Sequence, residues 1–271
     1  MKVILFGVVT LVANVAFSKS LVFRDPVGDD RGPGSYVYPT DAVYKRGSFD
    51  LVKFEVRSKG SDVEFRATMR ARIEDPWDSK SWGGNGFSLQ MLQVYIDKDH
   101  KEGSGHRSAL PGMNVDFMKA SYWEKVVVMS PQGRERLASE IELKAKDVRG
   151  DIVIPKRTYS SGKTIVAVVS KKDLGGAVQE SWGFQVLVQS NEGFPDRGDL
   201  LSRKVNEVEG PHRFGGGDDG DCDPHVIDML AGDALGTKDE VAAQKKELGS
   251  FVCKSSIRSE IGMVYSSKSN K

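Results

Sequence analysis

The residues best equipped for chemistry in this chain are carboxylates set among glycines. In "RFGGGDDGDCDPHVIDML", Arg213 to Leu230, consecutive glycines precede Asp218, Asp219, Asp221 and Asp223. A phosphate-binding loop uses glycines to expose backbone N–H groups, then places a Lys with Ser or Thr at a helix start. Aspartates in those places repel phosphate. They offer hard oxygen ligands to a cation such as calcium, which accepts six to eight of them. The alternating acids, glycine and distal Glu of an EF-hand are missing, however. The spacing therefore reads as a glycine-permitted turn whose aspartates cap the chain and feed "VIDML" into a strand.

Two other loops have a stronger claim on a cation. "DPVGDDRGPGSYVYPTD" carries Asp25, Asp29, Asp30 and Asp41, and Asp50 opens the next strand. Carboxylates converging from segments on either side of that loop repel one another unless a divalent ion neutralises them. Asp25, Asp30 and Asp50 are the expected calcium ligands, and Asx-type capping is the alternative use of the same residues. In "YIDKDHKEGSGHRSALPG", Asp97 and Asp99 have the spacing of the first two ligands of many calcium loops, and Glu102 follows. A solvated hairpin end is the competing reading. His100 and His106 flank the acids but lack the spacing of a tetrahedral zinc site.

Aromatic side chains form a third group. Trp77 and Trp82 lie in "EDPWDSKSWGGNGFS", a loop rich in Gly, Asn and Asp. Exposed, they would make a stacking platform for the apolar faces of sugar rings. Turned inward, they would cover one end of a core, as large aromatics usually do.

The elements that must position these groups are mostly strands. Short segments rich in Val, Ile, Phe and Tyr alternate with Gly, Pro, Asp and Ser turns, the pattern of an all-β sandwich or barrel. The clearest hairpin is "FDLVKFEVRSKGSDVEFRATMRARI", in whose second arm Val63, Phe65, Ala67 and Met69 alternate with polar residues. Further strands are expected at Leu21 to Arg24, Ser88 to Ile96, Lys125 to Met129, Glu140 to Lys144, Asp151 to Ile154, Thr164 to Ser170 and Phe184 to Gln189. No crossover helix is expected between them, which argues against a doubly wound parallel sheet. One helix is expected, in "TKDEVAAQKKELG", where Thr237 and Glu240 have capping-box spacing and Gly249 marks the stop. These elements divide the chain into a β domain over 19–235 and a helical appendage with a polar tail over 236–271.

The first residues, "MKVILFGVVTLVANVAFSKS", read as a secretory signal peptide over 1–18, with Ala16 and Ser18 at the positions a signal peptidase recognises. Its apolar stretch of about 15 residues is shorter than the roughly 20 a bilayer span needs, so no membrane span is expected once the signal is removed. The 271 residues hold 39 basic and 38 acidic side chains, a net charge of +1. This balance gives no electrostatic footprint for nucleic acid. Cys222 and Cys253 suit an oxidising compartment, where a bridge between them would contribute roughly 3 to 4 kcal/mol by chain entropy. Two free thiols on segments that never meet is the alternative.

Several stretches taken in order resemble the C-terminal module of bacterial glucodextranase, a module also found on pullulanase-type enzymes. They are the "DPVGDDRGPGSYVYPTD" opening, "WGGNGFSLQMLQVYIDKD", "ALPGMNV", "WGFQVLVQSNEGFPDRGDLLSRKVN" and "RFGGGDDGDCDPHVIDML", spanning about Leu21 to Leu230. The resemblance implies a β-sandwich of immunoglobulin-like or jelly-roll-like type, related to family 9 carbohydrate-binding modules. It further implies a secreted or periplasmic, cell-surface-associated protein whose partner is a polysaccharide or cell-envelope glycan.

Two other functions compete with that expectation. A glycoside hydrolase needs one carboxylic acid kept protonated in an apolar pocket beside a second carboxylate, whereas the conspicuous acids here sit in Asp/Gly turns. A periplasmic haem-binding electron-transfer sandwich needs axial ligands from two strands facing one cavity. Met91, Met118 and Met129 are the available residues, and methionine is more often core filler. A non-catalytic binding module is the expectation carried forward. Exported material should begin near Lys19, and mass spectrometry that found an intact Met1 in it would refute the signal reading.

Overall fold

The computed structural model describes residues 20–191, 200–218, 220 and 222–266. The expected signal segment, Asp219 and Asp221 lie outside the described residues. In chain order the strands are β1 (Ser20–Arg24), β2 (Leu51–Lys59), β3 (Asp62–Met69), β4 (Gln90–Asp97), β5 (Val115–Phe117) and β6 (Lys125–Met129). Helix α1 (Arg134–Lys144) follows, then β7 (Ile152–Val153), β8 (Arg157–Ser161), β9 (Thr164–Ser170), β10 (Gly183–Ser190) and β11 (Asp228–Met229). Helix α2 (Lys238–Leu248), β12 (Ser259–Ile261) and β13 (Val264–Tyr265) complete the described chain.

These strands form an all-β sandwich. One sheet has the order β1-β2-β3-β9-β8, and the other β11-β10-β4-β6-β7 with β13 also paired to β10. A parallel pair of β5 and β12 lies apart from both. The hairpin of β2 and β3 closes through Gly60 and Ser61, with Lys59 opposite Asp62, and Gly60 supplies the positive φ of +55° that such a turn requires.

The strand pattern explains the layering. In β3, Val63, Phe65, Ala67 and Met69 are buried at every second position, because the sheet's inner face alone meets the core. Strands β4 and β10 are buried along their whole length. Leu92, Val94 and Ile96 of β4 and Phe184, Val186 and Val188 of β10 face the sandwich core with Phe23, Phe54 and Phe65. Their alternate residues Tyr95 and Leu187 face a second core, built with Phe117, Trp123, Leu137, Ile141, Leu248 and Ile261. The second sheet is thus covered on both sides, the condition under which strands read as continuous apolar runs.

Buried glutamines attach the outer layer to this sheet. Gln93 Nε2 donates to the Leu201 carbonyl at 2.6 Å, Gln189 Nε2 to His225 at 2.6 Å, and Gln185 Nε2 to Leu230 and Gly262, each at 2.8 Å. Each satisfies a loop carbonyl that the sheet's own ladder cannot reach.

Two local expectations are corrected. Glu140 to Lys144 is not a strand but the last turn of α1, because Leu137 and Ile141, four residues apart, bury one stripe of a segment of good helix formers. Helix α1 joins β6 to β7, which pair in parallel, so one crossover unit sits inside the sandwich. The strand expected over Asp151 to Ile154 contracts to the two residues of β7. Helix α2 starts as its sequence indicates: Glu240 reaches back to the backbone N–H groups of Leu235, Gly236 and Thr237 at 2.7, 2.8 and 3.1 Å. No helix among the described residues is long and apolar enough to cross a membrane.

Phe184 meets Phe23 at 5.6 Å and Phe54 at 6.0 Å between ring centroids, joining the sheets at the centre. Phe184→Ala should destabilise the protein by about 3–5 kcal/mol, read as a lowered urea midpoint with an unchanged m-value.

Candidate functional site

Strand β1 ends by delivering Asp25 into the loop that carries Asp29 and Asp30. That loop folds back on the second sheet, where the Gly32 N–H donates to the Ile227 carbonyl at 2.7 Å. Gly32 holds a φ of +54°, and a Cβ there would run into the Tyr36 ring and the Val226 carbonyl, so the close approach depends on glycine. Across the seam, β11 contributes Asp228. Carboxylate oxygens of Asp25, Asp29 and Asp228 all lie within 4.8 Å of one another, and the three residues are 4 %, 4 % and 0 % exposed.

The arrangement is electrostatically unbalanced. Both oxygens of Asp25, both of Asp29 and Oδ1 of Asp50 are buried without a hydrogen-bond partner among the described residues. Asp228 is better held, with Oδ2 accepting from the Leu51 N–H at 2.7 Å and Oδ1 from the Met229 N–H at 2.9 Å. Burial, then the charges of Asp29, Glu240 and Asp50, pushes the Asp25 carboxyl well above its ordinary range. Burial and the charges of Asp25 and Asp29 do the same to Asp228. Asp29 is raised to about 7, chiefly by burial with Asp50 and Asp30 adding to it. Asp50 is raised to about 6 by burial and Asp30, partly offset by the Arg70 guanidinium at 3.4 Å. Such a cluster holds protons or a cation, and its donor set of carboxylate oxygens suits a hard divalent ion.

Helix α2 seals the cluster. Gln244 Nε2 donates to the Asp29 carbonyl at 2.7 Å while Gln244 Oε1 accepts from the Met229 N–H at 3.0 Å. One side chain therefore ties the acidic loop to β11.

Of the residues singled out in the sequence, Asp25 stands at the centre of this cluster and Asp50 at its edge. Asp30 turns the other way, where its Oδ2 accepts from the Tyr38 hydroxyl. Asp29 is named with the acids of its loop but is not among the expected ligands, and Asp228 went unrecognised. Asp29 is hidden by its neighbour in "DD", and the one available signal for Asp228 is a lone acid inside the apolar run "VIDML".

Asp97 and Asp99 come together with a third acid, Glu124, within the same 4.8 Å limit. Asp97 Oδ1 accepts from the His100 N–H at 2.7 Å, and its Oδ2 from the Tyr265 hydroxyl at 2.6 Å. Glu124 accepts from the Lys98 N–H at 2.7 Å and is raised to about 7, chiefly by burial. Glu102 instead pairs with Lys119 at 2.9 Å. The histidines separate: His100 stacks on Tyr265, and His106 pairs with Asp151 at 2.8 Å.

In the glycine–aspartate loop, Asp218 Oδ1 accepts from the Gly220 N–H, and Asp223 accepts from both the Asp218 N–H and the Tyr36 hydroxyl. Cys222 and Cys253 face each other as a disulfide with Cα atoms 5.4 Å apart. Trp77 is half-buried against the sandwich core, with its ring 6.0 Å from Tyr44 and edge-on to His212 at 5.7 Å. Trp82 is half-buried too, and its Nε1 donates to the Trp77 carbonyl at 3.2 Å. Met129 is sealed in the core, whereas Met118 is exposed.

A family model for the C-terminal binding module, SLH-like, of glucodextranase matches residues 21–262. The match runs beyond Leu235 and takes in α2 and β12. Among curated proteins, none matches the chain.

The raised carboxyls set a pH dependence. Unfolded aspartates ionise near 3.8 while buried Asp29 holds its proton to about 7 and Asp50 to about 6. Between those values the unfolded state binds fewer protons, so stability falls as pH rises. With divalent ions chelated, the melting temperature should drop between pH 4 and pH 7, and Asp29→Asn should flatten that slope.

Proposed function

Because the chain belongs to the family of C-terminal, SLH-like binding modules of glucodextranase, we propose that it is an exported, non-catalytic module that attaches to a polysaccharide or cell-envelope glycan. The observation that carries this reading is the family match over 21–262 of a two-sheet sandwich. The acids favour it over hydrolysis. Asp25, Asp29 and Asp228 combine raised pKa values with near-complete burial, and a carboxyl that sealed cannot reach a glycosidic bond. Their role is structural.

We further propose calcium as the ion of this cluster. Asp25, Asp29 and Asp228 would hold it, with Asp50 adjacent, and the ion would neutralise charges that otherwise oppose closure of the loop against β11. Asp97, Asp99 and Glu124 form a weaker second candidate, since Asp97 is already engaged by Tyr265 and the loop backbone. Secretion and an oxidising compartment accord with the facing cysteines.

Two measurements test the reading. Pull-down on insoluble polysaccharides and cell-wall preparations should retain the protein, and a protein that stays in the supernatant of every preparation would defeat the binding proposal. Calcium at about a hundred times its dissociation constant should add roughly 2.7 kcal/mol. Asp25→Asn should raise the stability of the chelated protein at neutral pH, because a neutral amide is buried there without first taking up a proton, and shrink the calcium increment. An unchanged increment in that variant would remove calcium from this cluster.

A further inference from the structure

Asp29 and Asp30 are neighbours that face opposite ways, and the second of them opens onto a cavity of about 260 Å³ lined by Gly28, Asp30, Arg31, Tyr38, Tyr44 and Arg46. Pockets for drug-sized ligands run to roughly 300–1,000 Å³, so this one fits a single ring and not a chain. Its aromatic walls are held from behind. Tyr38 packs on Phe49 and Phe214, with centroids 5.6 and 4.8 Å away, and Tyr44 stacks on Phe49 at 6.1 Å and 20° between planes. The Tyr44 hydroxyl donates to the carbonyls of Asn191 and His212 at 3.3 Å each. Tyr44 is buried and backs the cavity, whereas half-buried Tyr38 offers a stacking surface without the entropic cost of ordering it on binding.

The polar complement of the cavity is unequal. Its carboxylate, Asp30, already accepts from the Tyr38 hydroxyl, which burial and the Asp30 charge keep protonated. Its two guanidiniums are far less occupied. Arg31 gives one N–H to the Tyr36 carbonyl at 3.3 Å, and Arg46 is exposed, with no hydrogen bond or ion pair to any described residue. With two guanidiniums to one carboxylate, and that carboxylate already holding the Tyr38 hydroxyl, the cavity is net positive and its spare forked donors complement a carboxylate better than a neutral hydroxyl.

We propose that this cavity binds one carboxylate-bearing sugar residue, a uronic acid, with the ring against Tyr38 and the carboxylate on the Arg46 guanidinium beside Arg31. This assignment rests on the glycan-binding reading above and names the class of glycan. It places sugar recognition in the loop after β1, with Trp77 packed behind Tyr44 at 6.0 Å and not itself a wall of the cavity.

Isothermal titration at constant calcium should compare trigalacturonate, its methyl ester and maltotriose. The esterified trimer keeps every ring and loses only the charge. Binding of trigalacturonate, with about tenfold or weaker binding of the other two, is the expected result, since a charge-assisted hydrogen bond contributes about 1.5–3 kcal/mol. Arg46→Ala should weaken trigalacturonate by a similar factor and leave the melting temperature unchanged. Arg46→Lys should recover only part of the loss, because an ammonium lacks the fork. Equal binding of maltotriose, or full affinity in Arg46→Ala, overturns the uronate assignment while the glycan-binding reading stands. Failure to bind these trimers together with failure in the polysaccharide pull-down overturns both.

Discussion

Mutual repulsion among buried carboxylates is the constraint around which this fold is arranged. Asp25, Asp29 and Asp228 come from a loop and a strand far apart in sequence, and the chain brings their oxygens within 4.8 Å in a place water does not reach. Desolvation alone would disfavour three charges there. Every nearby element can be read as holding the cluster closed against that cost: Gly32 allows the loop to turn tightly, the Leu51 and Met229 N–H groups fix Asp228, and Gln244 bridges loop to strand. The N-terminal strand, the second sheet and helix α2 therefore depend on one another through a site none of them could form alone.

The architecture was legible where burial follows a single period. In β3 the apolar residues Val63, Phe65, Ala67 and Met69 fall at every second position because one face of the sheet meets the core, and the capping box of α2 is written in Thr237 and Glu240. Helix α1 was hidden because its buried stripe is narrow, Leu137 and Ile141 among charged residues, and its last turn alone resembles an exposed strand. The parallel pairing of β6 with β7 was invisible for the same reason. Once α1 is taken for a strand, no crossover remains to suggest it.

The candidate sites were legible in residue type more than in partnership. Sequence spacing favoured acids close together in one loop, such as Asp25 with Asp30. The structure groups acids across the two sheets, so that Asp25 from the loop after β1 meets Asp228 of β11 while Asp30 is diverted by Tyr38. Glu124 joins Asp97 and Asp99 because β6 lies beside β4, a neighbour relation that no local motif encodes. Glycine and aspartate content announced the turns, but which acids of a loop face one another depends on the side-chain directions that the packed sheets impose.

The buried glutamines of β4 and β10 carry a consequence for mutational tolerance. Gln93, Gln185 and Gln189 grip backbone carbonyls of the covering loops, and a carbonyl is the same whatever side chain its residue bears. Residues 201, 225, 230 and 262 are held by the backbone in these contacts, while the side chains of Leu201, His225 and Leu230 are constrained separately by their own burial. The burden of invariance shifts to three amides in the sheet. Exposed positions elsewhere in the covering layer can change without renegotiating how the layer is attached.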